Sequence, residues 1–285
     1  MFGAVEAGGT KFICGVGTGP HDLRTMQIPT GTPGVTIPAV IEFFRSAKLA
    51  AIGIGSFGPI CTDASSPDWG GITSTPKIAW RDCDLAGPIR AALGVPVGFD
   101  TDVNAAALGE ARWGAARGIA DFLYLTVGTG IGGGAMAAGR VIHGVSHPEM
   151  GHIRIPHDWS ADPFTGCCPY HGDCLEGLAS GPAIAARWGK PAAELPPGHP
   201  AWALEARYLA LAVVNFGCTL ASQRVILGGG VMRQAQLLPM IRLEVARLTN
   251  EYVELPEIVA PELGERAGVC GALVLAELAS GLVLA

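Results

Sequence analysis

Two carboxylates stand where a predicted strand gives way to a predicted helix. The apolar run at 95–99 predicts the strand, Asp100 and Asp102 follow it, and an alanine-rich helix is predicted over 105–116. Because the two residues are two apart, an extended backbone would point both carboxylates the same way. The helix dipole is expected to keep Asp102 ionised, and an ionised carboxylate can accept a proton from a hydroxyl group. Simple capping of the helix is the alternative for either residue.

A second group of side chains has the spacing of a metal site. Cys168, His171 and Cys174 form C-x-x-H-x-x-C, and His152 stands 16 residues before Cys168. Two thiolates and two neutral imidazoles suit tetrahedral zinc. A shell of four protein ligands leaves no open position for water, so the predicted zinc is structural.

This cluster has alternatives. Cys167 could replace Cys168 as a ligand, His147 or His157 could replace His152, and the cysteines could be reduced free thiols of a loop. The other cysteines are dispersed among apolar residues and are predicted to fill core space. They are Cys14, Cys61, Cys83, Cys218 and Cys270.

Glycine-rich turns form a third group with possible chemistry. Glycine lacks Cβ and accepts positive φ, so a glycine turn offers converging N–H groups that a phosphate can approach closely. The turn Gly8-Gly9-Thr10-Lys11 adds a hydroxyl and an ammonium, and it joins the apolar runs 4–6 and 12–16 as a hairpin turn would. A plain hairpin and a solvated lysine are the alternatives.

The turn Gly128-Thr129-Gly130-Ile131-Gly132-Gly133 follows another apolar run and formally matches G-x-G-x-x-G. A dinucleotide-binding fingerprint must open a helix. Here a turn arrives at Ala138-Gly139 and a further strand is predicted over Val141-Ile142-His143, so a second hairpin is favoured over a Rossmann unit. Neither glycine turn is a G-x-x-x-x-G-K-[ST] P-loop.

The elements that must position these groups alternate between helix and strand. Further elements predicted from apolar spacing are helices over 36–47, 202–222, 232–249 and 268–280 and strands over 50–55 and 224–227. Gly228-Gly229-Gly230 is the turn between the last strand and the helix that follows it. The alternation predicts the α/β class, and the two hairpins predict an internal duplication with a mixed sheet in each half.

Composition narrows the classes of protein that fit. The chain has 285 residues, 49% of them hydrophobic and 15% charged, which excludes disorder from low hydrophobicity. A net charge of -6 gives no basic footprint for nucleic acid or an anionic membrane. The first residues lack the basic start and apolar stretch of a signal peptide, so a soluble cytoplasmic protein with reduced thiols is expected.

Taken in order, these motifs resemble the ROK family of sugar kinases, and within it the bacterial zinc-containing fructokinase branch. The similarity runs from residue 3 to residue 280. The motifs that carry it are Glu6-Ala7-Gly8-Gly9-Thr10-Lys11-Phe12, Asp100-Thr101-Asp102-Val103-Asn104-Ala105-Ala106-Ala107, Gly128-Thr129-Gly130-Ile131-Gly132, His147-Pro148-Glu149-Met150-Gly151-His152, and Cys168 to Cys174 followed by Leu175-Glu176-Gly177-Leu178-Ala179-Ser180-Gly181.

The resemblance implies a two-domain actin-like fold, also called ribonuclease H-like, whose cleft closes over a sugar and ATP. The smaller N-terminal domain would be 1–115, completed by the C-terminal helix at 268–285. The larger domain would be 116–267, with a zinc-binding segment at 152–176. The two hairpin turns would bind phosphate, one in each domain. The family is often dimeric, so a homodimer is expected.

The resemblance also implies roles for individual residues. Asp102 would be the general base that removes the proton from a sugar hydroxyl, and magnesium would accompany ATP. Further sugar contacts would come from Thr101, Glu149, His152 and Glu176. His152 would also bind the structural zinc. Contacts to ATP would come from Gly8, Gly9, Thr10, Lys11, Thr129, Gly130, Gly181, Pro182, Gly228, Gly229 and Gly230.

The sequence departs from the family pattern in places. Many relatives have aspartate where Glu6 stands, so its contact to magnesium is expected to differ in reach. His171 in the middle of the zinc set resembles the fructokinase branch. The repressors of the family carry an N-terminal helix-turn-helix, but here the phosphate turn begins by residue 8, so no DNA-binding role is expected.

The predicted reaction is transfer of the γ-phosphoryl group of ATP to a hexose, with fructose as first choice. A mannose or glucose kinase of the same family is the nearest alternative, because stereochemical preference depends on hydrogen bonds that a sequence does not reveal. A non-catalytic sugar sensor and a nicotinamide oxidoreductase are alternatives from other classes.

Overall fold

The computed structural model describes residues 1–254 and 256–281. The chain forms two compact units. The first unit consists of Met1–Gly118, Val141–Pro148 and the C-terminal stretch from Leu263, and the second unit consists of Ile119–Arg140 and Glu149–Glu262. Val141–Pro148 therefore groups with the first unit, although the sequence-based boundaries assign it to the second.

The first unit is built on a mixed sheet. Its elements are β1 (Phe2–Ala7), β2 (Lys11–Gly17), β3 (Arg24–Pro29), α1 (Pro33–Phe44), β4 (Ala51–Ser56), β5 (Gly71–Ile72), β6 (Cys83–Asp84), α2 (Ala86–Leu93), β7 (Val97–Thr101) and α3 (Asp102–Trp113). Among the described residues the strand order is β3-β2-β1-β4-β7. β1 pairs antiparallel with β2 and parallel with β4, which confirms the first predicted hairpin.

The second unit repeats this arrangement. Its elements are β8 (Phe122–Val127), β9 (Ile131–Ala137), β10 (Arg140–Val141), α4 (Leu175–Ala179), α5 (Gly181–Trp188), α6 (Ala201–Leu220), β11 (Arg224–Gly228), α7 (Leu237–Thr249) and β12 (Glu257–Val259). Among the described residues the strand order is β10-β9-β8-β11-β12, and Val141, the last residue of β10, is the one residue of this sheet that groups with the first unit. β8 pairs antiparallel with β9 and parallel with β11. The matching orders support the predicted duplication, although β10 ends at Val141, two residues before the predicted end at His143.

A last helix, α8 (Ala267–Ala279), returns to the first unit and covers one face of its sheet. The contact is close because small residues line it. A Cβ added to Gly53 of β4 would lie 1.8 Å from the carbonyl oxygen of Ala272, and one added to Gly271 would lie 1.5 Å from that of Ala105 in α3. The opposite face packs against the core that includes Val40, Trp80 and Ile89. The sheet is thus covered on both faces, as the α/β class requires.

Three predicted helix starts are wrong: α1 begins at Pro33 instead of 36, with a proline in its first turn, and the starts of α3 and α7 differ for local reasons. The structure begins α3 at Asp102 instead of 105, because Thr101 caps the helix. Helix α7 begins at Leu237 instead of 232, after a short 3-10 turn at Val231–Arg233. A start at 232 would put Pro239 inside the helix, where its missing N–H would break a hydrogen bond, whereas in the first turn no such bond is needed.

Helix α6 is long and apolar enough to cross a membrane by length and composition. Within the second unit, 44% of its most apolar window is buried. It packs along α7, and its Glu205 is only 2% exposed. These are the contacts of a core helix.

Candidate active site

The turn from β7 into α3 places the two aspartates of the first unit. Thr101 is the N-cap of α3, and its Oγ1 accepts a hydrogen bond of 3.0 Å from the N–H of Asn104. Asp100 lies in the strand and Asp102 is the first helical residue. The capping role suggested for the aspartates therefore belongs to Thr101. This hydroxyl is buried and already engaged, which gives it a structural role besides the predicted sugar contact.

Asp100 is a structural anchor. Its Oδ1 accepts hydrogen bonds from the N–H of Thr101, at 2.8 Å, and from Nδ2 of Asn104, at 2.7 Å. Its Oδ2 lies 2.9 Å from Nε2 of His143, and this hydrogen bond raises the pKa of the histidine. The expectation that the two aspartates point the same way assumed an extended backbone, but the backbone changes from strand to helix between them.

Asp102 keeps a carboxylate that is available for chemistry. It accepts a hydrogen bond of 2.9 Å from the N–H of Val103. Burial raises its pKa to about 6, and hydrogen bonds from backbone N–H groups oppose the rise. The rise was not expected from the helix dipole alone, because loss of water around the carboxylate has the larger effect. At neutral pH the group is mostly ionised yet more basic than an ordinary aspartate.

Glu6 lies on β1 beside this carboxylate. Burial, followed by the negative charge of Asp102, raises the pKa of Glu6 to about 7, while a hydrogen bond from the N–H of Val269 opposes the rise. Its Oε2 is buried and has no hydrogen-bond partner among the described residues. A buried, unpartnered carboxylate oxygen fits a hard divalent cation, because magnesium binds oxygen ligands. The residue at the expected magnesium position is thus compatible with the ion.

The first glycine turn, Gly8-Gly9-Thr10-Lys11, joins β1 to β2 and is braced from β3. The N–H of Gly8 donates to the carbonyl of Lys11 at 3.0 Å. The hydroxyl of Thr30 donates to the carbonyl of Gly8 at 2.8 Å, and the N–H of Thr30 donates to Thr10. Thr10 and Lys11 are exposed. The turn is therefore fixed from behind while its hydroxyl and ammonium face solvent.

The second glycine turn joins β8 to β9 in the second unit. The N–H of Gly128 donates to Gly130 at 2.9 Å, and the N–H of Gly181 donates to the carbonyl of Gly128 at 2.8 Å. Oε2 of Glu176 accepts a hydrogen bond of 2.9 Å from Ile131, immediately after the turn. One oxygen of this predicted sugar ligand thus supports the phosphate turn, where the exposed Thr129 presents its hydroxyl.

Further glycines meet at the carboxyl ends of β8 and β11. Gly229 has φ +94, and a Cβ there would lie 2.3 Å from the carbonyl of Val127, so the turn requires glycine. A Cβ on Gly128 would lie 3.9 Å from the N–H nitrogen of Gly230. Helix α5 starts at Gly181 with Pro182 in its first turn. The second unit therefore brings the predicted contacts 128–130, 181–182 and 228–230 to one edge of its sheet.

The predicted metal ligands converge in the second unit. One atom each from His152, Cys168, His171 and Cys174 lies within 4.8 Å of the others. Nδ1 of His152 is 3.7 Å and 3.6 Å from the two sulfur atoms and 3.3 Å from Nδ1 of His171. Four ligands at zinc–nitrogen and zinc–sulfur bond lengths in a tetrahedron are about 3.3 to 3.8 Å apart. The donor set and the distances from His152 therefore fit zinc.

The alternative ligands have other contacts. Cys167 lies outside the cluster, with its sulfur 4.0 Å from the hydroxyl of Ser180. Nε2 of His157 is 2.9 Å from the carbonyl of Asp162. His147 belongs to the first unit, where its Nε2 accepts a hydrogen bond of 3.0 Å from Ile60.

Two predicted sugar ligands lie together beside this metal cluster. With Nδ1 of His152 facing the cluster, Nε2 of the same ring is 4.0 Å from a carboxylate oxygen of Glu149. A metal bound at Nδ1 would fix the ring orientation and leave Nε2 to face a ligand. His152 and Glu149 therefore lie close enough to contact the same ligand.

Sequence reasoning missed several residues that support the site. Asn104 is polar, only 1% exposed and tied to Asp100, and its place in the first turn of an alanine-rich helix was the available signal. His143 and Thr30 contact residues far away in the chain, so no local spacing indicates them.

The chain belongs to the ROK family, whose model matches residues 2–279. It is 45% identical to a fructokinase of Zymomonas mobilis, over 97% of this chain and 96% of that protein. It is 42% identical to a fructokinase of Pediococcus pentosaceus, over 98% of each chain. A ROK-family glucokinase from Streptomyces griseus, solved with glucose and AMPPNP, has a TM-score of 0.76 at 27% identity and covers 97% of this chain and 99% of its own. The fold is the two-domain actin-like kinase fold that the sequence predicts.

Proposed function

We propose that this protein transfers the γ-phosphoryl group of ATP to fructose, giving fructose 6-phosphate and ADP. The observation that carries the proposal is Asp102, a carboxylate at the start of α3 whose pKa is raised to about 6. Relatives at 42–45% identity over nearly their whole length are named fructokinases, which supports fructose as the acceptor.

Asp102 acts as general base. It accepts the proton of the 6-hydroxyl group as that oxygen attacks the γ-phosphorus in line. The bond from the γ-phosphorus to the β,γ-bridging oxygen breaks, ADP leaves with the electron pair, and Asp102 then passes its proton to solvent. A base with a pKa near 6 is ionised at neutral pH and holds the proton better than an ordinary aspartate.

The glycine turns bind the nucleotide. N–H groups and hydroxyls for the phosphates come from the turn Gly8-Gly9-Thr10-Lys11 and from the turn that contains Thr129 and Gly130. Gly228-Gly229-Gly230 and Gly181-Pro182 border the adenosine. Magnesium, when bound, neutralises charge on the phosphates, and Glu6 would hold it.

Four residues contact sugar hydroxyls. Sugar hydroxyls that do not react form hydrogen bonds with Thr101, Glu149, His152 and the second carboxylate oxygen of Glu176. Zinc, when bound by His152, Cys168, His171 and Cys174, is structural and orients the His152 ring beside Glu149.

The proposed reaction and the cysteines indicate a cellular location and the kinds of partner. We place it in the cytoplasm, where ATP is available and the eight cysteines stay reduced. All of them are free thiols in the structure. We also propose a homodimer, and the net charge of -6 argues against nucleic acid and membrane surfaces as partners.

The decisive experiment measures ADP release with fructose, mannose and glucose, each with magnesium and ATP. We expect a clear preference for fructose. Equal rates on fructose and glucose would refute the specificity and leave the kinase activity standing. Sugar binding without any ATP consumption would instead identify a non-catalytic sensor.

A further inference from the structure

The side chain of Lys77 rests on the first glycine turn. A Cβ added to Gly9 would lie 2.8 Å from Cε of Lys77 and 3.7 Å from its Nζ. The end of the lysine side chain therefore occupies the space next to the Gly9 Cα. Gly9 lacks a side chain in the one place where a side chain would push this ammonium away from the turn.

The backbone of Lys77 is anchored on its C-terminal side. Lys77 precedes a 3-10 turn at Ile78–Trp80, and the N–H of Trp80 donates to the carbonyl of Lys77 at 2.8 Å. Trp80 is 2% exposed, and its Nε1 donates to the carbonyl of Gly31 at 2.8 Å. Its ring packs on Phe12, with centroids 5.3 Å apart. Since Phe12 directly follows the glycine turn on β2, this anchor holds Lys77 to the turn.

The N-terminal side is held as well. Thr75 is 1% exposed, and its Oγ1 accepts a hydrogen bond of 3.3 Å from the N–H of Lys77. Nη2 of Arg81 donates to the carbonyl of Thr75 at 3.3 Å. Pro76, between them, has a fixed φ. A lysine on a free loop would not be held on both sides in this way.

The ammonium of Lys77 has no carboxylate to neutralise it. Within residues 1–254 and 256–281, Lys77 forms no ion pair and its Nζ makes no hydrogen bond, although its side chain is partly buried. The chain has only four lysines, and two of them, Lys11 and Lys77, flank this one turn. Two ammonium groups beside a glycine turn that is predicted to bind phosphate have the charge that such a ligand requires.

We propose that Lys77 is a further catalytic residue, which binds the γ-phosphoryl group of ATP at the first glycine turn. This inference rests on the proposed kinase function. As the bond to the leaving ADP breaks, negative charge is redistributed over the phosphoryl oxygens, and a positioned cation stabilises that charge distribution. Lys77 supplies the cation as a point charge, whereas the N–H groups of the turn fix the geometry.

The test compares Lys77→Met with Lys77→Arg and with Lys48→Met, a matched change at an exposed lysine of the same unit. In ADP-release assays at saturating fructose and MgATP, we expect kcat of Lys77→Met to fall by about 10²- to 10³-fold. We expect KM for fructose to change by less than about threefold. Lys77→Arg should recover part of the rate because it restores the charge, and Lys48→Met should match the original protein.

A binding measurement separates a phosphoryl contact from a structural role. Calorimetry on the fructose-bound protein compares the affinity for ADP with that for ADP plus aluminium fluoride, which mimics the transferring phosphoryl group. In the original protein, aluminium fluoride should increase the affinity for ADP. In Lys77→Met this increase should be smaller by at least about tenfold, while the affinity for ADP alone should stay the same.

Each other outcome overturns the inference. Unchanged kcat in Lys77→Met would show that the ammonium does not act in the reaction. A loss confined to KM for fructose, with full tightening by aluminium fluoride, would assign Lys77 to the sugar. If the original protein consumes no ATP with any sugar, the proposed function itself fails, and this result is distinct because it does not depend on the variants.

Discussion

Asp100 and Asp102 are two residues apart and differ in how many hydrogen bonds their carboxylates accept. Both carboxylate oxygens of Asp100 are engaged: one accepts hydrogen bonds from Thr101 and Asn104, and the other contacts His143. These contacts hold the start of α3 in place. Asp102 has one such bond, from Val103. A carboxylate engaged on both oxygens is a poor proton acceptor, and a partly buried one with few donors is a better one. The difference supports the proposal that Asp102 is the base.

The pH dependence of the reaction tests this assignment. Because the base must be ionised, kcat/KM for fructose should be constant above about pH 7 and fall about tenfold per pH unit below about pH 6, where the raised pKa of Asp102 lies. Asp102→Asn should lower kcat by about 10²- to 10⁴-fold at every pH. The measurement is ADP release between pH 5 and pH 9.

A matched control for that change is Asp63→Asn, at an exposed aspartate of the same unit. It should leave both the rate and its pH profile unaltered. Undiminished turnover in Asp102→Asn would remove the general base from the mechanism.

At this scale the sequence predicts the identity of the base and of the four metal ligands, because each lies in a short motif. It does not predict the raised pKa of Asp102, since burial depends on how the folded chain packs around this residue. For the same reason it missed Lys77, which reaches the glycine turn only after the chain has folded through 60 intervening residues or more. Contacts at long separation leave no local pattern.

The metal cluster belongs to the scale of elements. Its ligands lie on a 3-10 turn at Met150–His152, on the loop before α4, and at Cys174, the N-cap of that helix. Gly177 in α4 allows the loop to approach, since a Cβ there would lie 1.8 Å from the carbonyl of Gly172. A metal at this point would join the turn to the helix that carries Glu176.

Neighbouring cysteines provide a sharp test of the cluster. Cys168→Ser should bind less than about a tenth of a zinc ion per chain and lose most of its activity, because a three-ligand shell binds zinc weakly and no longer fixes His152. Cys167→Ser should retain one zinc ion per chain and full activity. Elemental analysis after purification without chelator measures the metal. Equal zinc in both variants would mean that Cys168 is not a ligand.

Element order was predictable, and the starts of α6 and α8 were predicted to within one residue, but the starts of other helices were not. The two hairpins, the alternation of strands and helices and the last helix follow from apolar spacing and glycine turns. The starts of α3 and α7 depend on Thr101 and on the position of Pro239, where capping and the absent N–H of proline outweigh apolar spacing.

At the scale of the whole molecule, Glu6 makes stability depend on pH. Its pKa is raised from 4.5 to about 7, so folding favours its protonated form. This contribution to stability is fully present below about pH 4.5 and is lost as the pH rises through about 7. Glu6→Gln removes the buried charge, so at pH 8 it should raise the free energy of unfolding by up to about 3 kcal/mol.

Urea unfolding at pH 5 and pH 8, without added magnesium, measures this effect. The gain in Glu6→Gln should shrink towards pH 5, where the original glutamate is mostly protonated. Glu42→Gln, at an exposed glutamate paired with Arg45, is the control and should change stability by less than about 1 kcal/mol. Lower stability of Glu6→Gln at pH 8 would contradict the burial argument. We expect this variant to lose activity, since the same carboxylate faces the proposed magnesium.

Because α8 covers the sheet of the first unit, this unit cannot be completed until α8 has been synthesised. On the ribosome, β1 to α3 emerge before α8, so the surface formed by Gly53, Ala105 and their neighbours stays uncovered until Gly271 and Ala272 have been made. The second unit lies wholly before that helix and can finish folding earlier. A nascent chain that stalls before Ala267 therefore exposes an uncovered apolar surface, which is the kind of surface that chaperones and proteases recognise.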